Sequence, residues 1–292
     1  MIHESNFIIN SKKKKVFTQS WRPESEFNAA ILLIHGYAGH SNRYEYFAHK
    51  MVAYGYAVFA IDLQGFGRSE GLKADIENFD DYIEDTKLYL QQLLGKYNDI
   101  PWYLMGHCMG GNVAILTATE NQDKVAGLIL TAPALKIVSN LPKVVQEMAN
   151  YVSAFAATVP IMAMDLSALS KDPEVIKDFE NDELAYNGRI RARMAIQMGK
   201  GAEKARSVAN KINIPVWLGY GAEDQWIEAE TAKKFMTELS SENLRFQLFE
   251  GLYHDILHEP EKDGIISDIG KWIAEVDVKP IKQLEEIEEI IR

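Results

Sequence analysis

The chain is poor in cysteine and in long apolar stretches. Cys108 is the only thiol among 292 residues. A single thiol cannot form an intramolecular disulfide, so the fold does not depend on an oxidising compartment. No apolar stretch reaches the roughly 18 residues of a membrane-spanning helix, and the N-terminus lacks the basic start and apolar run of a secretion signal. We therefore expect a soluble cytoplasmic protein.

The chain also lacks an excess of basic residues. It has 31 Lys and Arg against 42 Asp and Glu, a net charge of −11. Nucleic-acid-binding proteins are usually basic, so this balance argues against a nucleic-acid partner. Hydrophobic residues make up 47% of the chain, which is enough for a large core. This composition excludes a disordered chain, a collagen-like chain and a disulfide scaffold.

Short apolar runs alternate with helical patterns over much of the chain. Such runs are typical of strands buried on both faces, and their alternation with helices indicates an α/β fold with a mostly parallel sheet. The first two strands form an N-terminal hairpin. Strands are predicted at 2–9, 16–21, 29–34, 56–61, 102–105, 125–130, 215–220 and 244–249, and helices at 41–54, 79–97, 109–119, 229–239 and 264–276.

The alternation stops over residues 135–208, where helical patterns occur without a clear strand. No flexible linker flanks this block, so we interpret it as a cap inserted into the core rather than as an independent domain. The core then consists of 1–134 and 209–278. Residues 279–292 form a predicted helical tail, which either docks on the body or makes a dimer contact. Its helically spaced apolar residues are Ile281, Leu284, Ile287 and Ile291.

The segment from Gly106 to Gly110 follows a predicted strand and leads into a predicted helix. It has the G-x-S-x-G spacing of the nucleophile elbow of α/β-hydrolases, with Cys108 in the place of serine. The glycines leave room for a sharp strand-to-helix turn, which lifts the central side chain to the edge of the sheet where ligands bind. A free cysteine is more often a small buried hydrophobe. Its position between strand and helix favours the nucleophile.

A nucleophile of this kind needs a base, and the base needs an orienting acid. In this fold the chain order is nucleophile, acid, histidine. His254 and His258 are the histidines that follow the last predicted strand, and His254 lies directly after it. We therefore expect His254 to be the base and His258 a polar neighbour. Glu223 and Asp224 follow the preceding strand, and Asp224 is the preferred acid because Glu223 would point away.

Two backbone N–H groups are expected to form an oxyanion hole. One belongs to Met109, directly after the nucleophile, and the other to Tyr37 in the loop after the third predicted strand. His35 in the same loop is expected to be structural. Asp62 has no neighbours at metal-ligand spacing, and the glycine-rich loop after it does not match a dinucleotide or phosphate-binding motif. We expect neither a metal nor an organic cofactor.

Taken together, these motifs resemble the monoglyceride lipase family of α/β-hydrolases, which includes lysophospholipase-like and plant caffeoyl-shikimate esterase-like members. The resemblance covers about residues 10–275. The intervals of 116 residues from Cys108 to Asp224 and 30 from Asp224 to His254 also suit the family. The motifs are HGYAGHSNRYEYFA (35–48), DLQGFGRSEG (62–71), GHCMGG (106–111), APAL (132–135), GAEDQWI (221–227) and EGLYHDILHEP (250–260).

The resemblance implies a catalytic triad of Cys108, Asp224 and His254, the oxyanion hole already described, and a helical lid between the sixth and seventh strands. It also places Arg43 near the alcohol end of the site. This chain departs from the family at Cys108, where the family carries serine, and at Ala38-Gly39, where the family commonly has Gly-Glu. Three explanations of the cysteine remain open: a native cysteine hydrolase, a Ser→Cys variant made to trap a complex, or a natural lineage with slow turnover.

The predicted cap is rich in Met, Ala, Val and Phe. Met148, Met162 and Met164 are candidates for lining an acyl-chain channel, because methionine adapts to flexible ligands. The alternative is that they simply pack the cap onto the body. A partly exposed apolar cap would also favour transient contact with a membrane or micelle surface.

The sequence therefore predicts a carboxylic-ester hydrolase that acts on single-chain lipid esters such as monoacylglycerols through an acyl-enzyme. Alternatives of the same class are a lysophospholipase and a general carboxylesterase or thioesterase. A catalytically weak form that binds a hydrophobic ligand, or one that transfers acyl groups to an acceptor other than water, is a further alternative.

Overall fold

The computed structural model describes residues 1–136, 157–227 and 229–277. Its central sheet has eight strands in the order β1-β2-β4-β3-β5-β6-β9-β10. The pairs β1–β2 and β2–β4 are antiparallel, and the other pairs are parallel. The strands are β1 (Ile2–Ile9), β2 (Lys15–Arg22), β3 (Ala29–Ile34), β4 (Tyr56–Ile61), β5 (Trp102–His107), β6 (Gly127–Thr131), β9 (Val216–Gly221) and β10 (Leu244–Phe249).

The central strands are buried on both faces. Every residue of β3, β4 and β5 is buried, as their continuous apolar sequences predict. Alternate side chains of β3 point to opposite faces: Leu32 belongs to one hydrophobic core, and its neighbours Ile31 and Leu33 belong to the other. The sheet therefore lies between two helical layers.

The helices of these layers are α1 (Glu45–Ala53), α2 (Asp80–Lys96), α3 (Met109–Thr119), α6 (Ala229–Glu238) and α7 (Lys262–Asp277), while α4 (Pro173–Asn181) and α5 (Ala192–Ser207) belong to the predicted cap. A single helix was predicted over 41–54. The structure instead has a 3₁₀ turn at Ser41–Tyr44 before α1. The N–H and hydroxyl of Ser41 both donate to Asp62 Oδ1, at 2.7 and 2.6 Å, and this pins the chain where the turn begins.

Three strands extend to the carboxyl edge of the sheet beyond their predicted ends. His107 pairs with Thr131, and Thr131 pairs with Gly219 of β9. This ladder brings the end of β5, where the predicted elbow begins, alongside the ends of β6 and β9. The loops that follow these strands therefore meet at one edge.

The predicted absence of strands from residues 135–208 was wrong. A short antiparallel pair joins β7 (Pro160–Met162) to β8 (Ile190–Arg191). Strands of two or three residues are too short to show an alternating pattern in the sequence. The helical patterns at α4 and α5 are present, and the division into core and cap stays a prediction.

Two sets of predictions concern residues outside the described ranges. Met148 lies within 137–156, and the predicted tail over 279–292 lies beyond residue 277. Along the ranges that the structure does describe, none of the helices has both the length and the apolar character needed to cross a bilayer.

Candidate active site

Cys108 lies on the sharp turn between β5 and α3. Its backbone has φ 50° and ψ −119°, which is a strained conformation for a residue with a side chain. The Cys108 N–H donates to the Thr131 carbonyl at 3.0 Å, and its own carbonyl accepts the N–H of Gly111 and of Ala134, each at 3.0 Å. These three hydrogen bonds hold the turn in place and keep the thiol partly exposed.

Two glycines allow the turn to pack this closely. A Cβ at Gly106 would lie 2.3 Å from the Gly110 carbonyl oxygen. A Cβ at Gly110 would lie 2.3 Å from the carbonyl oxygen of Ile34 and 2.4 Å from that of His35. Both positions therefore exclude any side chain. The second contact also brings the start of α3 against the end of β3.

The structure brings His254 and Asp224 together beside this turn. His254 Nδ1 donates to Asp224 Oδ2 at 2.7 Å, and the two side chains are only 2% and 1% exposed. The other oxygen of Asp224 accepts the backbone N–H groups of Trp226, at 2.8 Å, and Ile227, at 3.0 Å. The carboxylate is thereby oriented on both oxygens and presents one of them to the imidazole.

The electrostatics of this group favour a charged histidine. Burial acts to lower the pKa of His254, but the Asp224 carboxylate and the charge on Cys108 outweigh it, and the pKa lies well above its usual range. Cys108 and His254 line the same cavity. Burial acts to raise the pKa of Asp224, but His254 and the two backbone N–H groups hold it below its usual range. The pairing suits an imidazolium beside a carboxylate.

The other candidates for acid and base, Glu223 and His258, do not take part in the pairing of Asp224 with His254. Glu223 is exposed to solvent. His258 donates from Nε2 to the Arg43 carbonyl at 2.8 Å, and its Nδ1 lies 2.8 Å from Asp255 Oδ1. His258 is therefore occupied by other groups, close to the site but not in contact with Asp224.

The loop after β3 passes directly beside the elbow. A Cβ at Gly36 would lie 3.0 Å from the Cβ of Cys108. His35 anchors this loop by donating from Nδ1 to the Gly36 carbonyl at 2.7 Å and accepting the Leu63 N–H on Nε2 at 2.9 Å. Burial lowers the pKa of His35 to about 4, so the ring is neutral, as this pattern of bonds requires.

The two predicted oxyanion donors flank Cys108. Tyr37 follows Gly36 in the loop and lines the cavity described below. Met109 is the first residue of α3, and the first N–H groups of a helix have no partner within the helix. The side chain of Met109 is buried in the core, so only its backbone is available to the site.

A cavity of about 320 Å³ opens over Cys108 and His254. This volume lies at the lower end of the range for small-ligand sites. Met162 and Met164, the predicted acyl-channel residues that the structure describes, line the cavity, and both come from the chain around β7. Its apolar wall also includes Ala168, Leu169, Phe179, Ile190 and Met198.

Arg43 also lines this cavity. Its guanidinium stacks over the Phe179 ring, 4.7 Å from the centroid, and its Nη2 lies 3.5 Å from Asp255 Oδ2. The side chain is 10% exposed. A cation held this way can meet an oxygen-bearing group of a ligand.

Sequence reasoning missed Asp255, which immediately follows His254 and also lines the cavity. Burial acts to raise the pKa of Asp255, but His258, His107 and Arg43 hold it well below its usual range. It also missed Trp226, whose ring lies 4.8 Å from that of His254. The signals for Asp255 in the sequence were its place next to the predicted base and three residues before His258, whereas its contact with Arg43 spans distant segments.

Known proteins resemble the chain over most of its length. Residues 25–261 match the protein family described as "Serine aminopeptidase, S33". The chain is 25% identical over 254 residues to the monoacylglycerol lipase of Mycolicibacterium smegmatis, covering 87% of this chain and 91% of that protein. It is 26% identical over 275 residues to human monoglyceride lipase, covering 92% and 89% respectively.

Solved structures also resemble this chain over most of its length. A soluble variant of monoglyceride lipase from Saccharomyces cerevisiae, in complex with a substrate analogue, superposes with a TM-score of 0.85 at 19% identity and covers 96% of each chain. The monoacylglycerol lipase of Paleococcus ferrophilus gives 0.79 at 23% identity, covering 90% of this chain and 99% of that one. At these identities the likeness shows the fold, and it confirms the predicted α/β-hydrolase fold.

Proposed function

Because the chain belongs to the serine aminopeptidase family of α/β-hydrolases and is an ester hydrolase of the monoglyceride lipase type, we propose that it cleaves single-chain lipid esters with Cys108 as the nucleophile. Monoacylglycerols are the first substrates to consider. The observation that carries the proposal is the hydrogen bond from His254 to Asp224, with His254 and Cys108 lining the same largely apolar cavity.

The proposed reaction begins with the Cys108 sulfur attacking the ester carbonyl carbon while its proton resides on His254. Asp224 stabilises the imidazolium and keeps its ring oriented. The N–H groups of Tyr37 and Met109 stabilise the negative oxygen of the tetrahedral intermediate. The C–O bond then breaks, His254 gives its proton to the departing alcohol, and a thioester acyl-enzyme remains.

Hydrolysis of the acyl-enzyme returns the site to its starting state. His254 accepts a proton from water, whose oxygen attacks the thioester carbonyl. The C–S bond breaks, the fatty acid leaves, and the sulfur recovers its proton or its pairing with the imidazolium. Each of these groups belongs to the chain, so the steps as written require no cofactor.

The side chains that line the cavity support a substrate with an acyl chain. The apolar wall of the cavity contains the flexible side chains of Met162, Met164 and Met198, which suit an alkyl chain. Arg43 and Asp255, which line the same cavity, offer a cation and a carboxylate to the hydroxyl groups of an alcohol. The names of the relatives, monoacylglycerol and monoglyceride lipase, agree with this class.

The cap surface supports a transient contact with lipid. Val159 is 43% exposed, and Met162 and Met164 beside it are partly exposed. Exposed apolar side chains favour contact with a micelle or bilayer surface. The cytoplasmic location and a homodimer stay predictions.

The test compares the chain with Cys108→Ser and Cys108→Ala on p-nitrophenyl esters of increasing acyl length and on 1-monooleoylglycerol. We expect turnover by the unaltered chain, loss of turnover in Cys108→Ala, and a thioester acyl-enzyme visible by intact mass and cleaved by hydroxylamine. The melting temperature of each variant serves as the control for folding.

The outcome for Cys108→Ser decides what the cysteine means. If serine does not improve turnover, Cys108 is an effective nucleophile in its own right. If only the serine variant turns over, the cysteine disables an ordinary serine lipase. If neither the unaltered chain nor Cys108→Ser turns over any ester, the esterase proposal is refuted and a protein that binds hydrophobic ligands is favoured.

Acyl transfer and lysophospholipase activity are distinguished by their products. Adding glycerol to the reaction and analysing the lipids separates transfer to an alcohol from hydrolysis. Replacing the monoacylglycerol by a lysophospholipid of the same chain length tests whether a charged head group is accepted.

A further inference from the structure

The cap contacts the loop that carries Tyr37. Tyr186 donates its N–H to the Ala38 carbonyl at 2.8 Å. Asp182 Oδ2 accepts a hydrogen bond from His40 Nε2 at 2.7 Å. Both cap residues belong to the segment that follows α4, from Asp182 to Tyr186, which we call the docking turn. Two residues of the loop are thereby tied to the cap within four positions of the proposed oxyanion donor.

Both partners of the hydrogen bond between His40 and Asp182 are held in place. His40 is 2% exposed, and burial holds its pKa below the usual value despite the neighbouring Asp182, so the neutral ring donates its Nε2–H. Asp182 is fixed in turn because its Oδ1 accepts the Leu184 N–H at 2.9 Å. The docking turn is therefore oriented before it meets the loop.

The loop needs external support at this point. Ala38 has φ 67°, in the left-handed region that residues with a side chain rarely adopt. Such a conformation costs about 1–3 kcal/mol and persists only when its surroundings hold it. The Tyr186 N–H bonds the carbonyl of this same residue. Without the docking turn, the peptide groups next to Tyr37 are free to relax.

The same part of the cap forms a wall of the cavity. Leu169 and Phe179 line the cavity and belong, with Ala38, to one buried hydrophobic cluster. The rings of Tyr37 and Tyr186 also pack edge-on, with centroids 6.3 Å apart. An acyl chain in the cavity therefore presses on side chains that are packed against the loop.

We infer that the docking turn is a positioning element for the oxyanion hole, and that Asp182, acting through His40, sets the direction of the Tyr37 N–H. This inference rests on the proposed function. The cap then does more than cover the substrate, because its seating on the body completes the group that stabilises the transition state. Binding of an acyl chain in the cavity is then coupled to formation of the oxyanion hole.

The test uses two reagents that modify the Cys108 sulfur by different reactions. Iodoacetamide alkylates the sulfur without forming an oxyanion, whereas a p-nitrophenyl ester acylates the same sulfur through one. Removing an oxyanion donor costs about 10²–10³-fold, and misplacing a reacting group by 1 Å about 10²-fold. For Asp182→Asn we therefore expect acylation to slow by about 10- to 100-fold, with the alkylation rate and the KM for ester changed little.

Two controls separate positioning from general stability. Lys204→Ala removes another contact of the predicted cap, the ion pair with Asp80 at 2.8 Å between α5 and α2, which involves no residue of the loop. An exposed pair of this kind is worth little, so we expect both rates to stay within about twofold. His40→Gln keeps an amide donor for Asp182 and should retain more acylation than His40→Ala.

Each outcome has a distinct meaning. Unchanged acylation in Asp182→Asn would overturn the inference, and so would a parallel fall of acylation and alkylation, since that indicates general damage to the site. An unaltered chain that is alkylated but never acylated by any ester would instead overturn the proposed function, and with it the oxyanion hole. Selective loss of acylation, restored in part by His40→Gln relative to His40→Ala, supports the inference.

Discussion

Replacing Gly110 by alanine is expected to damage both the fold and the chemistry, although the change adds a single methyl group. The new Cβ would lie 2.3 Å from the Ile34 carbonyl oxygen and 2.4 Å from that of His35. Non-bonded heavy atoms prefer separations near 3.5 Å, so something must move by roughly 1 Å. Both obstacles are backbone atoms and cannot rotate away.

The size of the effect follows from what moves. Overpacking a tight site typically costs about 1–3 kcal/mol of unfolding free energy, and rigid backbone neighbours favour the upper end of that range. The displacement also separates the start of α3 from the end of β3, and these two segments carry the N–H groups of Met109 and Tyr37. A shift of about 1 Å between these proposed oxyanion donors predicts a loss of about 10²-fold in ester turnover.

The matched control is the same substitution at Gly95 in α2, where nothing lies within 4 Å of the added Cβ. Alanine is the better helix former by about 1 kcal/mol, so Gly95→Ala should stabilise the protein and leave turnover intact. Urea unfolding and p-nitrophenyl ester turnover measure both quantities. If Gly110→Ala matched Gly95→Ala in stability and turnover, the close approach of α3 to β3 would be refuted.

Three further predictions follow from single contacts. Asp224→Asn should lower kcat/KM by about 10³–10⁴-fold, because the amide cannot stabilise the imidazolium. The amide is isosteric with the carboxylate, so the melting temperature should stay near that of the unaltered chain. A loss of kcat/KM below tenfold would argue against His254 as the base. The pKa of Asp255 is held below its usual value of 3.8, so its pairing stabilises the fold above that pH and the contribution is lost as the pH falls towards the folded pKa. Asp255→Asn should therefore destabilise the protein at pH 7 more than at pH 3 in urea titrations, and equal losses at both would contradict this sign. Met198→Trp should fill part of the cavity and shift the chain-length preference towards shorter esters, which a p-nitrophenyl ester series measures; an unchanged profile would place the acyl chain elsewhere.

Local sequence patterns predicted α3, which follows the elbow, and the neighbouring central strands of the sheet. The apolar runs of β3 and β4 matched the observed strands to the residue, and Met109–Thr119 matched α3. These elements are encoded by neighbours along the chain: continuous apolar residues for a buried strand, and glycines on either side of a strand-to-helix turn. The order of nucleophile, acid and base then selected His254 and Asp224, which lie in contact.

Patterns failed where structure depends on residues distant in sequence. The strands β7 and β8 each have too few residues for a periodic signal and exist because they pair with one another. The hydrogen bond between His40 and Asp182 spans 142 positions. The contact of Arg43 with Asp255 spans 212. No spacing rule covers such intervals.

The sequence by itself determined an α/β-hydrolase with a thiol on its elbow, because that turn is specified by short-range sterics and by glycines within two residues of Cys108. Only the tertiary structure decided which side chains surround the thiol. The cavity wall, the carboxylate of Asp255 and the docking turn reach the site from separate segments of the chain. Their meeting depends on how the sheet and the predicted cap pack together, and packing is a property of the whole fold rather than of any stretch of its sequence.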